Sequence, residues 1–297
     1  MLIRHLAYLI ALAKEQHFAR AAQSCNISQP ALSAAIRQLE DELGLPLVER
    51  DKRFIGFTPQ GQEVLLWARR IIADYESLKS VGDSAKRGLT GTLRLGVIPS
   101  ALSAVPMITA PLRRQHPELK VITLSASAGE IEKGLHDFEL DAGILYFEEA
   151  ARGVIERQIY VERYVLLVDS MHTPPEAKDI TWCEAAKHNL CLLTPNMQNR
   201  RIIDGVFKTL GEMPVPVVET NSFLTSMAHV AHGGLSSIIP QIVVDLFGVP
   251  PGTHALPLKD PVVERPVALV VSNRNPLPPI SLALLAISLP GATSEQN

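Results

Sequence analysis

Three groups of residues in this chain have the types and spacing to do chemistry. The first is Ser28, Gln29, Pro30, Ser33 and Arg37, which gather on one side of a helix opened by Ser28. Arg37 can bond guanine in bidentate fashion and Gln29 can bond adenine, while the small Ser33 and Ala34 let the helix approach a base-pair edge. Glu40, Asp41 and Glu42 crowd the far end, where phosphates would repel them, so only the N-terminal half should enter a DNA groove. The second group is Arg50, Lys52 and Arg53, around a hairpin turning at Asp51-Lys52. Charge there suits backbone phosphate, which holds register without reading sequence. The third lies in Pro99-Ser100-Ala101, Ser125-Ala126-Ser127 and Thr194-Pro195-Asn196, where strands should give way to helices. Ligands of open parallel sheets bind at such points, and a hydroxyl beside free helix N–H groups suits a small anion. We expect an effector site of Ser100, Ala101, Ser127, Thr194 and Asn196, with Phe223 as apolar wall. Two roles compete: Ser127 with Glu130 also reads as a capping box, and Phe223 and Met227 also suit a core.

Catalytic patterns do not emerge. There is no GxSxG, GxGxxG, Walker A or HExxH motif. His229 and His232 share a helical face but have no Cys or carboxylate set nearby, so no metal and no cofactor is expected. A solute receptor would explain residues 90–297 and leave the first ninety unexplained. A two-lobed transferase would lack a nucleophile.

The elements that must position these groups are read from periodicity. Leu2 to Glu15 and Phe18 to Cys25 are helical, and an Asn26-Ile27-Ser28-Gln29-Pro30 turn leads into the next helix. In that helix Leu32, Ile36, Leu39 and Leu43 form the inward stripe, Pro30 sits in the first turn, and Gly44 and Pro46 end it. Leu47 to Arg50 and Arg53 to Phe57 make a β-ribbon, completing a winged helix-turn-helix. Thr58-Pro59 opens a long helix running to about Lys86, with Leu65, Ala68, Ile72 and Tyr75 in a heptad-like seam. A helix this long on so small a head points to a second copy of the chain as its partner. After Gly88-Leu89-Thr90-Gly91, β-branched runs alternate with helices, which predicts parallel strands in two α/β lobes with crossings near residues 161 and 266.

Phe18-Ala19-Arg20-Ala21-Ala22, Ser28-Gln29-Pro30-Ala31-Leu32-Ser33, Ile36-Arg37-Gln38-Leu39-Glu40, Leu47-Val48-Glu49-Arg50 and Phe57-Thr58-Pro59-Gln60-Gly61 together resemble the LysR-type transcriptional regulators. The resemblance implies that Gln29, Pro30, Ser33 and Arg37 face bases and that Arg50 and Arg53 contact phosphate. It implies a linker helix that pairs protomers, an effector domain resembling periplasmic binding proteins, and Ser100 and Thr194 in its pocket. The chain departs from the family at Ala34, Ala35 and Gln38, where further basic or amide residues are common, and at Val48, where Phe is usual.

With 297 residues the chain can hold two or three domains. The expected division is 1–58 for the DNA-binding domain, 59–88 for the linker helix and 89–297 for the effector domain. Lobe I would take 89–161 and 267–297, and lobe II 162–266. A net charge of −3 means that DNA affinity must come from charge placement and multiple copies rather than bulk basicity. Cys25, Cys183 and Cys191 lack CxxC spacing, which suits reduced cytoplasmic thiols, and no apolar run reaches membrane-spanning length. The expected protein is a cytoplasmic, ligand-responsive regulator and not an enzyme. Its partners would be a partly palindromic double-stranded operator, a small anionic effector and itself as a homotetramer. RNA polymerase could be a further partner.

Overall fold

The computed structural model describes residues 2–50, 54–147, 153–170 and 178–288. The head begins with α1 (Ile3–Glu15), α2 (Phe18–Ser24) and α3 (Gln29–Leu43). A two-stranded ribbon of β1 (Val48–Arg50) and β2 (Phe54–Phe57) follows, and then the long helix α4 (Pro59–Arg87). Ser28 caps α3 by accepting from the Ala31 amide, and Gly44 closes the helix in the left-handed region at φ +70°. Leu32, Ile36 and Leu39 are fully buried with Leu6, Leu9 and Leu12 of α1, while Leu43 is 40% exposed. The start of α4 is locked to the ribbon. Thr58 donates from its backbone amide to the Leu47 carbonyl, caps the Gly61 amide, and donates its hydroxyl to the Pro46 carbonyl. A Cβ on Gly61 would stand 2.0 Å from the Leu47 carbonyl oxygen, so this approach requires glycine.

The effector domain opens with β3 (Gly91–Val97), a 3₁₀ turn over Pro99–Ala104, α5 (Val105–Gln115), β4 (Leu119–Ser125), α6 (Ala128–His136) and β5 (Ala142–Tyr146). Then β6 (Val154–Glu162) runs almost directly into β7 (Tyr164–Asp169). Next come β8 (Ile180–Thr181), α7 (Trp182–Ala185), β9 (Cys191–Leu193), α8 (Gln198–Thr209), β10 (Val218–Thr220), α9 (Phe223–Gly233), β11 (Ser237–Pro240), α10 (Gln241–Phe247) and β12 (Thr253–Lys259). The chain ends with β13 (Arg265–Ser272) and α11 (Pro279–Ala286).

One sheet has the order β4-β3-β5-β13-β6, and another has β11-β7-β12-β8 with β9 and β10 paired beside it. Neither is purely parallel. In the first, β13 runs antiparallel to both β5 and β6, and in the second β7 runs antiparallel to β11 and β12. No strand was expected at β6, β8 or β12. Chain crossings fall at Arg163 and between Lys259 and Arg265. Arg163 and Glu264 join the two crossings, with Nε donating to Oε1 at 2.9 Å.

Candidate functional site

On the head, the structure leaves Ser28, Gln29, Pro30, Ala34 and Arg37 exposed and Ser33 half-buried, all on the α3 face turned away from α1. That face offers hydroxyl, amide and guanidinium groups with small residues between them. Glu40 does not join it. Its carboxylate accepts from the Leu47 and Val48 amides at 2.9 and 3.2 Å, tying the recognition helix to the ribbon. Its neighbour Glu42 accepts from the Gln38 amide. Lys52 and Arg53 lie outside the described residues, and of Arg50 only the backbone, in β1, is described.

The expected pairing seam needs correction. Leu65 is 9% and Ala68 1% exposed because both pack into the head core, with Ile72 half-buried against it. Burial inside the chain's own domain removes Leu65 and Ala68 from any contact between copies. The exposed stripe of α4 is Trp67, Ile71, Tyr75 and Leu78, which recurs every three or four residues and includes Tyr75 of the expected set. On another side, Arg69 pairs with Glu139 at 2.5 Å and approaches Asp137 at 3.8 Å. Arg274 reaches Asp74 at 3.2 Å while lying over the Phe138 ring. These contacts dock the linker helix on the effector domain.

The expected effector residues separate. A small internal cavity between the lobes is lined by Ser100, Ser127 and Tyr146 from one side and by Met197, Gln198 and Asn199 from the other. Its volume of about 10 Å³ is no more than one water needs. Ala101 is instead fully buried in the lobe I core, and Phe223 belongs to the lobe II core with Val165 and Ile239. Thr194 is half-buried and Asn196 exposed, and neither lines the cavity. A larger groove of about 920 Å³ lies outside, between α6, α8 and residues 261–265. None of the expected effector residues lines it.

Behind the cavity lies a residue the sequence reading passed over. Glu162, at the end of β6, is 1% exposed. It accepts from the Tyr146 hydroxyl at 2.5 Å, from the Asn199 amide at 3.4 Å and from the Tyr160 hydroxyl at 3.4 Å. Ser100 Oγ lies 3.2 Å from the Tyr146 hydroxyl, so Ser100 belongs to this network. Asn199 sits on α8, so it bonds across the lobe boundary to Tyr146 and Glu162. No described Lys, Arg or His forms an ion pair with Glu162. Burial pushes its carboxyl up to about 7, a rise that the hydrogen bond from Tyr146 only partly opposes. Burial and the charge of Glu162 also push the Tyr146, Tyr160 and Tyr164 hydroxyls up, so all three stay protonated.

Two features therefore weigh against the anion expected here. The N-terminus of α6 already carries a carboxylate: Ser127 donates to Glu130 from its amide and its hydroxyl, and this holds Glu130 below the usual range. Glu162 adds a second, buried carboxyl. The α8 N-terminus, which has no side-chain cap, is the feature that favours an anion.

Comparison with known proteins follows the same division of the chain. Residues 3–62 match the model of the bacterial regulatory helix-turn-helix protein, lysR family, and residues 86–290 match that of the LysR substrate binding domain. A hydrogen peroxide-inducible genes activator of Haemophilus influenzae is 30% identical over 93% of this chain and 92% of that protein. The DNA-binding transcriptional dual regulator OxyR of Escherichia coli K12 is also 30% identical, over 93% of this chain and 91% of its own. Among solved structures, a full-length OxyR variant from Pseudomonas aeruginosa superposes with a TM-score of 0.76 at 26% identity, covering 97% of each chain. CbnR complexed with its target DNA shares the fold, with a TM-score of 0.70 at 23% identity over 96% of this chain and 98% of that one. Among the described residues no helix is long and apolar enough to cross a membrane.

Proposed function

The chain belongs to the LysR-type family of DNA-binding transcriptional regulators, and on that footing we propose that it reads its operator with the exposed face of α3 and answers to a small effector held between its two lobes. The observation that carries the effector half is the small cavity, whose polar lining comes from both lobes and includes a hydrogen bond across them, from Asn199 to Tyr146. A ligand that enters must part Ser100 and Tyr146 from Gln198 and Asn199. Lobe movement would pass to the linker helix through Arg69 with Asp137 and Glu139, and through Arg274 with Asp74. An effector shifts such an equilibrium only as far as it binds one arrangement better than the other.

On the DNA side, Arg37 and Gln29 read bases, Ser28, Pro30 and Ser33 allow close approach, and Arg50, Lys52 and Arg53 hold phosphate. Copies pair through Trp67, Ile71, Tyr75 and Leu78 of α4, and the half-sites of a partly palindromic operator follow from that two-fold relation. A tetramer would require a second interface through the effector domains.

The relatives' names raise hydrogen peroxide as the signal. Were that so here, a cysteine thiol would be the first group to consider. The cavity lining holds no cysteine. Cys191 is fully buried beside Ser226 Oγ, and burial pushes its thiol up, away from the reactive thiolate. Cys25 lies in the head and Cys183 on α7, both half-buried. We therefore favour reversible ligand binding over thiol oxidation. The test is operator footprinting with the reduced full-length protein before and after peroxide treatment. An unchanged footprint supports this reading, and a changed one that Cys→Ser substitution abolishes overturns it.

A further inference from the structure

Resting on the reading that the effector occupies the cleft between the lobes, we propose that Glu162 makes this cleft a site for a small organic amine bound as its ammonium ion.

The argument follows the hydrogens. An ionised carboxylate can only accept, so every bond to Glu162 uses a donor from its surroundings. Tyr146 gives its single hydroxyl hydrogen to Glu162, so its contact with Ser100 must be donated by Ser100. Ser127 gives its hydroxyl hydrogen to Glu130. Asn199 turns its amide N–H groups toward Glu162 and Tyr146. The three hydroxyls lining the cavity thus have their hydrogens committed to carboxyl networks; Tyr146 already accepts from Ser100 and Asn199, so the lone pairs left over are those of Ser100 and Ser127. The carbonyl oxygen of Asn199, a residue only 4% exposed, is buried with no hydrogen-bond partner among the described residues. An orphaned buried acceptor calls for a donor. Two hydroxyls that would serve an anion as donors, Ser100 and Tyr146, are thus turned into acceptors by Glu162, and a third, Ser127, by Glu130.

Charge leads to the same class. Glu162 is buried with hydroxyl and amide partners and no described cationic side chain in an ion pair with it. A buried carboxylate of this kind is costly alone and is relieved by a cation brought close to it. An ammonium group carries three donors and one positive charge. Placed between Asn199 Oδ1 and Ser100 Oγ it would satisfy the orphan and offset the buried charge. Its arrival would release the proton that Glu162 holds at pH values below its own ionisation.

The experiment uses the full-length protein and three probes of one size, propylammonium, 1-propanol and propionate, with thermal shift and calorimetry near pH 6. The expected order of stabilisation is propylammonium, then propanol, then propionate. Calorimetry in two buffers of different ionisation enthalpy should show proton release with propylammonium. Glu162→Gln should weaken propylammonium by about tenfold or more and abolish the proton release. Should that variant fail to fold, the probe order in the unaltered chain decides. Propionate binding best, with Ser100→Ala or Asn199→Ala weakening it, would overturn the amine and leave the cleft reading standing. Binding that ignores both substitutions would overturn the cleft reading itself. No response to any probe would overturn the amine proposal, because the buried acceptors of the cavity would then have failed to engage a donor.

Discussion

The head and the cleft solve the same problem in opposite ways. In the head, the core and the proposed DNA-reading surface occupy different faces of one helix: Leu32, Ile36 and Leu39 are buried, while Gln29, Pro30 and Arg37 stand in solvent. In the cleft, packing and the proposed site share the same atoms, because the network around Glu162 both closes the lobe boundary and lines the cavity. Head substitutions should therefore divide cleanly into those that unfold and those that unbind. Cleft substitutions should do some of each.

The sharpest division is expected on α4. Leu65→Ala should cost about 2–5 kcal/mol of head stability in denaturant unfolding, as large-to-small changes in a core do. Leu78→Asp, on the exposed stripe at 70% exposure, should leave the unfolding midpoint nearly unchanged and lower the mass seen by light scattering. If Leu65→Ala lowered the mass at unchanged stability, the two faces would have been assigned the wrong way round.

Next in size is the pH response of Glu162. Its carboxyl ionises near 7 in the folded chain against 4.5 as the ordinary value. The folded state therefore holds its proton more tightly, and stability falls as pH rises from about 4.5 through 7 and then levels. The loss is on the order of 3 kcal/mol. Urea unfolding between pH 5 and 8 should show it, and Glu162→Gln should flatten that part of the curve. A slope unchanged in the variant would place the titration elsewhere.

The smallest effect should come from the docking contacts. Arg69 is largely buried but pairs partly with the exposed Glu139, so Arg69→Ala should change global stability by about 1 kcal/mol or less. Amide exchange near residues 69–74 of α4 should nevertheless quicken, since local opening reports contacts that global unfolding averages away. Unchanged exchange would remove this contact from the route between cleft and head.

How far each region could be read in advance follows from the same contrast. The head was legible because its signals are local: Ser28 as cap, Pro30 in the first turn and Gly44 at the end lie within one helix. Periodicity alone could not say whether the stripe of Leu65 and Ala68 meets the same chain or another. Trp67, Ile71, Tyr75 and Leu78 formed a second stripe, and only burial ranks the two. Most α/β elements were visible in their runs of apolar residues, but β6 was not, because Val154–Glu162 mixes charged and apolar residues like a surface strand. Glu162 was missed for that reason. It becomes buried only when β13 pairs beside it and Asn199 arrives from α8. One signal was present: Tyr160, Glu162 and Tyr164 alternate, so the carboxyl shares a side with two aromatic rings. Ala101 and Phe223 were overread for the opposite reason. They follow strand ends, where ligands bind, yet their apolar side chains turn into the lobe cores.

The separation of reading from folding in the head is tested most directly by selecting binding sites from a random DNA pool with the wild-type chain and with Arg37→Ala. The wild type should enrich a partly palindromic sequence. The variant, as stable as the wild type, should enrich a sequence relaxed at one position in each half and bind the original site about 1–3 kcal/mol more weakly. The same sequence enriched by both proteins at equal affinity would contradict the assignment of the α3 face as the surface that reads DNA.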